Sequence, residues 1–301
     1  MSEFKNFAVG VFMLALAGYG AVKASMYFHA RYRVNALLAP LSRVAKVDYD
    51  EVTVSLFGPV GITGLSVVER GTGARMTVER AIVHDFQYER GEPLPRTLYL
   101  TLDGVHLGAT LMRERRSDPP AWVRRAGLET VYRDGLNVAD LGYDEVAADV
   151  ELNLHYEPLD GAVSVRYRAD ARDMGDLELK AAVVGFTRQG MRRGLPGLMF
   201  RSASLDYRDA SFVRRLMTKE AQRHQESLAK FQQGLVASLD EQLTDHEVKL
   251  DAKSVQALRQ FVLKPRRLVI TMRPYDPVPF KNLRFYKAGD IPLLLNTEIG
   301  N

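Results

Sequence analysis

The chain contains no cysteine, and it carries little excess charge of either sign. The first absence excludes disulfide bonds, thiolate zinc sites, iron–sulfur clusters and cysteine nucleophiles. It leaves the compartment open, because periplasmic proteins often fold without disulfides. The 41 lysine and arginine residues oppose 37 aspartate and glutamate residues, which gives a formal net charge of +4. So small an excess, spread along the chain, gives no reason to expect nucleic acid as a partner.

Catalytic motifs are also missing. The sequence has no GxSxG, Walker A, HExxH or strand–GxGxxG–helix segment, and its six histidines do not pair at metal-ligand spacing. His84 lies on an otherwise apolar strand row, where a hydrogen-bonded core histidine is expected rather than a metal ligand. We therefore predict that the protein is not an enzyme and has no catalytic residue, metal site or cofactor.

An apolar stretch near the N-terminus is the strongest single signal in the sequence. Between Phe7 and Phe28 the only side chain charged at neutral pH is Lys23. A helix over this stretch would span the roughly 30 Å hydrocarbon core of a bilayer, which predicts a transmembrane anchor. A cleaved signal peptide, with a cleavage site at Ala15-Leu16-Ala17, and a buried core helix are the alternatives. Because Lys23, Arg31 and Arg33 outnumber Lys5, the positive-inside rule favours a cytoplasmic location for the remainder of the chain.

From about Val47 to Phe186 the apolar residues recur with a period of two, which predicts β-strands. The clearest runs cover residues 150–156, 163–169 and 177–183, and turn sequences at Pro158–Gly161 and Asp173–Asp176 separate them. Three such runs joined by short turns predict an antiparallel meander with one apolar face. The tetrapeptide Tyr-Asp-Glu-Val occurs at residues 49–52 and again at 143–146, which indicates an internal repeat.

The C-terminal third changes to a helical pattern. Apolar residues between Asp209 and Leu243 recur at spacings of three and four, interrupted by the polar stretch Thr218–Ser227, so one or two helices are expected. A shorter helix is predicted from Ser254 to Val262, and a strand from Arg267 to Met272.

Several local motifs of this C-terminal part are similar to those of known protein families. The motifs are Leu205-Asp206-Tyr207-Arg208-Asp209 running into a helix, Ala257–Pro265, Leu268–Pro274 and Pro277-Val278. Together with the apolar N-terminus and repeated strands, the pattern resembles the proteobacterial envelope proteins of the YdgA/DUF945 and DUF2125 type. It is more distantly similar to the AsmA-like group, whose β-sheet grooves are associated with lipid handling. The resemblance implies a periplasmic domain anchored in the bacterial inner membrane.

The predicted fold class is α+β. An N-terminal transmembrane helix precedes a twisted, mostly antiparallel β-sheet built as a repeated meander, with C-terminal helices packed on one face. The predicted segments are an anchor at 1–33, a β-rich repeat domain at 34–208 and a helical segment with terminal strands at 209–301. The predicted location is a single-pass protein of the bacterial inner membrane with its main domain in the periplasm.

The predicted function is non-enzymatic binding or movement of a hydrophobic ligand, a membrane lipid, on the apolar face of the meander. The alternative is an accessory or scaffold subunit of a membrane complex, with an envelope protein as partner and the apolar face as a closed core. Both alternatives, open groove and closed core, involve the same residues. The predicted ligand-binding residues are Leu152, Leu154, Val163, Val165, Leu177 and Leu179.

Overall fold

The fold is dominated by one antiparallel sheet of twelve strands. The computed structural model describes residues 27, 31, 45–54, 59–70, 75–89, 91–108, 138–192 and 197–301. Ten strands follow one another in the order β1-β3-β4-β5-β6-β7-β8-β9-β10-β12, while β2 pairs with β3 and β11 pairs with β9. The strands are β1 (Ala45–Asp48), β2 (Glu51–Val54), β3 (Val60–Glu69), β4 (Arg75–Gln87), β5 (Thr97–Gly108), β6 (Glu145–Glu157), β7 (Ala162–Ala171), β8 (Gly175–Val184), β9 (Met199–Asp209), β10 (Arg267–Met272), β11 (Val278–Pro279) and β12 (Thr297–Gly300).

Six α-helices lie within the described residues of the second half of the chain. They are α1 (Arg188–Arg192), α2 (Phe212–Arg223), α3 (Leu228–Asp245), α4 (Ala252–Leu263), α5 (Phe280–Leu283) and α6 (Ile291–Leu294), and two 3₁₀ helices occupy Val138–Leu141 and Ala288–Asp290. The predicted long helical stretch is two helices, because α2 ends at Arg223 and Ser227 caps α3 by accepting a hydrogen bond from the Lys230 amide. The predicted shorter helix is α4, which begins after its N-cap Asp251.

The three alternating runs between Val150 and Val183 form β6, β7 and β8. Each pair is antiparallel and in continuous register, from Ala148 opposite Ala171 to Glu157 opposite Ala162 in the first pair. Residues directly opposite each other in such a pair lie on the same face of the sheet. The strict alternation of the sequence therefore becomes one apolar and one polar face.

The apolar row of β4 differs from the sequence prediction. Val78 and Ala81 are both buried although they are three positions apart, and the pairing with β5 shifts register between Val83 and Asp85, so that His84 is an extra residue of β4. The shift turns His84 away from the core. His84 is exposed, stacks on Tyr99 at a centroid distance of 4.5 Å and forms a 2.9 Å hydrogen bond with the Thr101 hydroxyl. The prediction of a core histidine was wrong.

The helices do not lie over the meander as predicted. Helix α4 packs against β10 and β12, and α2 and α3 pack against each other and against α4. The Ile299 amide of β12 donates a 2.9 Å hydrogen bond to the Ser254 hydroxyl of α4, so this helix covers the outer edge of the sheet. The helices are therefore gathered at the β9–β12 end of the strand order.

The predicted fold class, with its transmembrane helix, is contradicted, and so is the predicted single-pass inner-membrane location. Among the described residues, none of the helices combines the length and the apolar character needed to cross a bilayer. The longest of them, α3, has 18 residues and carries Lys230, Asp240, Glu241 and Asp245. The segment predicted as the anchor, 1–33, lies outside the described residues apart from Tyr27 and Arg31.

Candidate functional site

The six predicted ligand-binding residues lie on one face of the sheet. Leu154 pairs directly with Val165, and Leu152 and Leu179 both pair with Tyr167 between them. Val163 lies opposite Val183, and Leu177 lies opposite Ala169. The register therefore brings residues from three strands into one surface, which we call the apolar face.

The apolar face continues beyond the predicted residues. On one side Leu98 and Leu100 of β5 pair with Leu154 and Leu152, and on the other Leu205 of β9 pairs with Leu179. Ile270 of β10 extends the row by pairing with Leu205. The sequence predicts strands at β5 and β10. It does not reveal which strands lie next to each other in the sheet.

Burial across the apolar face is uneven. Val163 is 8% exposed, whereas Leu179, which has a paired strand on each side, is 39% exposed. Leu152, Leu154, Val165 and Leu177 are half-buried. A fully buried leucine contributes about 1.5–3 kcal/mol to stability. Leu179 lies near the middle of a large sheet but keeps 39% of its surface exposed, so its burial stabilises the fold by less than this.

One end of the apolar face is covered. Val138 and Leu141 of the first 3₁₀ helix form a buried cluster with Tyr143 and Met174, and Phe212 and Leu216 of α2 pack against it. The Tyr143 hydroxyl hydrogen-bonds the Ser211 hydroxyl at 2.7 Å, and Ser211 donates to the Asp173 carbonyl at 2.6 Å. These contacts close the face at the β7–β8 turn, while its opposite end lies at the β6–β7 turn.

The other face of the same strands is polar and ion-paired. Glu178 of β8 contacts Arg166 Nε at 2.6 Å and Lys180 Nζ at 3.2 Å. Partial burial opposes ionisation of Glu178, but hydrogen bonds from Lys180 and Arg166 outweigh it and hold the pKa of the carboxyl below its usual range. An ionised network of this kind belongs on a solvated face.

The Leu205–Asp209 motif joins the sheet to the helices. Tyr207 packs edge-to-face on Phe261 of α4, with ring centroids 6.2 Å apart. Its hydroxyl donates to Asp209 Oδ1 at 2.7 Å, and burial together with this bond raises the pKa of Tyr207. The same oxygen accepts the Val213 amide at 2.7 Å, so Asp209 also serves the first turn of α2. The motif thus has a clear structural role.

A cleft of about 600 Å³ lies beside the β6–β7 turn, at the other end of the apolar face. Its lining includes Asp160 of the β6–β7 turn, Arg201 of β9, and Arg273 and Tyr275 of the loop that follows β10. Sequence reasoning missed this cleft, because its walls come from segments more than a hundred residues apart.

The acidic residues of the two Tyr-Asp-Glu-Val repeats do not form a site. Asp50, Glu51, Asp144 and Glu145 are exposed, and within the described ranges no group of three or more histidine or acidic residues could hold a metal ion. The arginine-rich stretch Arg113–Arg125 lies outside the described residues.

Part of the chain matches a protein-family model. A family model described as an uncharacterized protein matches residues 168–300, from β7 to β12. No curated protein matches the chain. The matched region contains the Leu205–Asp209 motif, all three large helices and most of the cleft. It does not bear on the resemblance to envelope proteins, which stays a prediction.

Proposed function

We propose that this protein is a non-enzymatic binder of an apolar ligand, a lipid acyl chain, and that the apolar face of β6, β7 and β8 holds it. The observation that carries the proposal is the exposure of Leu179, between Tyr167 and Leu205 on the interior strands of the sheet. Leu152, Leu154, Val165 and Leu177 on the same face are half-buried, and a contiguous accessible apolar patch often marks a binding site. The proposal makes no use of a membrane anchor.

The surroundings of the face support an elongated ligand. The cluster around Tyr143 and Met174 closes one end, and the rows from Val150 to Tyr156 lead away from it. Six residues along a strand cover about 20 Å, which is comparable to an extended acyl chain. Because the polar face is occupied by ion pairs, the apolar face is the side on which an acyl chain would be bound.

The test compares two variants that add the same charge to opposite faces of the full-length protein. Leu179→Asp places a carboxylate on the apolar face, and Ser164→Asp places one on the polar face of the adjacent strand. Binding is followed with dansyl-labelled undecanoic acid, whose fluorescence rises in an apolar environment. We expect Leu179→Asp to weaken binding at least about tenfold, because a charged group on the apolar face must be desolvated by the ligand. Ser164→Asp should bind like the wild type.

Thermal unfolding accompanies both measurements. If Leu179→Asp unfolds at the wild-type temperature and still binds the probe with unchanged affinity, the apolar face is not the binding site. Lipid extracted from the purified wild type and analysed by mass spectrometry would identify the natural ligand. Absence of any bound lipid, together with no probe binding by the wild type, would overturn the proposal.

An accessory subunit of a protein complex is the second candidate, and one observation favours it. Phe285 and Tyr286, after α5, and Leu293 of α6 are exposed apolar side chains on neighbouring short elements. Exposed aromatic residues of this kind are common at protein–protein interfaces. A photo-crosslinking residue at position 285 should give one discrete adduct in the producing cells, while the same residue at exposed Arg172 gives none. Equal labelling at both positions would speak against this candidate.

A further inference from the structure

Among the described residues, the two most exposed large apolar side chains lie in or next to the lining of the same cleft. Leu159 is 94% exposed in the β6–β7 turn, and Tyr275 is 96% exposed in the loop after β10. Asp160, the neighbour of Leu159, and Tyr275 itself both line the cleft of about 600 Å³. Both turns project from the same end of the sheet, since Leu154, Val165, Ala181, Ala203 and Met272 form one row across the strands that lead to them.

Two arginines line the same cleft. Arg201 and Arg273 are exposed, and neither guanidinium forms an ion pair with a described residue. The one acidic residue of the lining is Asp160, whose Oδ1 is engaged by the Ala162 amide of its own turn at 2.9 Å. The cleft therefore presents two free guanidinium groups, which are the side chains best suited to bind a phosphate.

The backbone around Arg201 is irregular, which bears on where its side chain is presented. Ser202 pairs with Ala182 of β8, but the next pair is Phe200 with Val183, so Arg201 is an extra residue in β9. On the other side of β9, pairing with β10 ends at Ala203 and pairing with β11 begins at Phe200. Such a β-bulge redirects the side chain it carries and is common next to functional sites.

We propose that this cleft binds the phosphate of an acidic phospholipid at a bilayer surface, with Arg201 and Arg273 on the phosphate and Leu159 and Tyr275 in the interfacial layer. Aromatic and aliphatic side chains beside basic residues are the usual composition of a surface that lies on a membrane. A soluble phosphate would use the arginines but would leave Leu159 and Tyr275 in water. The proposal does not depend on acyl-chain binding by the apolar face.

Because the chain has no cysteine, a single introduced cysteine can report on each end of the sheet. Leu159→Cys and Arg172→Cys lie just beyond the two ends of β7, about 33 Å apart for a strand of this length. Each full-length variant is labelled with an environment-sensitive nitrobenzoxadiazole probe. The labelled proteins are titrated with vesicles of phosphatidylcholine alone and of phosphatidylcholine mixed with phosphatidylglycerol. We expect the Leu159 probe to brighten severalfold with the acidic vesicles only, and the Arg172 probe to stay unchanged.

The arginines are tested in the Leu159→Cys background. From the contribution of basic residues near an anionic surface, Arg201→Gln with Arg273→Gln should weaken the response to acidic vesicles about thirtyfold. The matched control, Arg214→Gln with Arg266→Gln, removes two exposed guanidiniums elsewhere and should have little effect. Arg201→Lys with Arg273→Lys keeps the charge without the planar fork, so an intermediate loss is expected if the cleft binds the phosphate itself.

Three results would overturn the proposal. The Leu159 probe could remain silent with every vesicle, which would show that this end of the sheet does not enter a bilayer surface. The glutamine pair at 201 and 273 could behave like the control pair. Inorganic phosphate alone could change the Leu159 probe as much as the acidic vesicles do, which would assign the cleft to a soluble phosphate. Leu179→Asp, the variant that tests acyl-chain binding, should leave the vesicle response intact, so the two proposals fail separately.

Discussion

Asp206 of β9 accepts two hydrogen bonds from Arg267 of β10, one from Nε at 2.9 Å and one from the terminal nitrogen Nη2 at 2.6 Å. This two-point contact fixes the strand that connects the helices to the rest of the sheet. The hydrogen bonds from Arg267 hold the pKa of Asp206 below its usual range, although partial burial opposes them. The pair also lies on the polar face, in line with Glu178 on the neighbouring strand.

The first prediction concerns the pH dependence of this pair. A carboxyl whose pKa is lowered in the fold stabilises it above the unfolded pKa of about 3.9, and the stabilisation disappears as the pH falls through the lower folded pKa. Arg267→Gln should therefore reduce the free energy of unfolding at pH 7, and the difference from the wild type should shrink toward pH 2. Urea unfolding across this pH range measures it.

Arg208→Gln is the control for that experiment. Arg208 Nε lies 4.0 Å from Asp206, without a hydrogen bond, so its removal should change the profile much less. A deficit of Arg267→Gln that is equally large at pH 2 and pH 7 would mean that Arg267 acts through packing rather than through its charge.

The second prediction concerns the buried hydroxyls that close one end of the apolar face. Ser211→Ala removes the donor to the Asp173 carbonyl and leaves the Tyr143 hydroxyl without its partner. The expected loss is about 1–3 kcal/mol, because a buried polar group loses its bond. Tyr143→Phe leaves the Ser211–Asp173 bond in place and should cost about 1 kcal/mol. Urea unfolding of both variants measures the two losses of stability. A larger loss for Tyr143→Phe than for Ser211→Ala would contradict the central place of Ser211 in this hydrogen-bonded group.

The sequence predicts β6, β7 and β8 correctly because everything that defines them is local. Their alternation and their short turns lie within about forty consecutive residues, from Glu145 to Val184. Residue pairing in such hairpins follows from the turns, so the shared face of Leu154 and Val165 could be predicted as well. Helix α4 was also predictable, since its cap and its apolar spacing are local.

The placement of the helices could not be predicted, because it depends on contacts between distant segments. Asp209 holds the first turn of α2, Phe261 of α4 packs on Tyr207, and the Ile299 amide reaches Ser254. An amphipathic helix alone does not reveal which strands its apolar side covers. The strand β12 could not be predicted because Thr297–Gly300 is too short to show alternation. The cleft could not be predicted because the β-bulge at Arg201 arises from the pairing of β9 with β8, which the sequence alone does not reveal.

The third prediction compares two glycines. Gly234 lies within α3 with open space around the position of a side chain, so Gly234→Ala should stabilise the protein by about 0.5–1 kcal/mol. Gly289 is buried, and a methyl group there would overlap the carbonyl oxygen of His246. Gly289→Ala should therefore destabilise the protein, by more than about 1 kcal/mol. Thermal unfolding compares the two, and equal effects would contradict the packing described around Gly289.

The last prediction uses the uneven burial of the apolar face. Val163 and Leu179 lie on the same face, but Val163 is buried and Leu179 is 39% exposed. Val163→Asp should destabilise the protein by several kcal/mol, because its carboxylate would be buried without a partner. Leu179→Asp should cost about 1 kcal/mol or less, because its carboxylate can remain in water. Ser164→Asp, on the polar face beside Val163, controls for the added charge. If urea unfolding shows Leu179→Asp to be as destabilised as Val163→Asp, the face is a closed core, and a ligand cannot reach it without local unfolding.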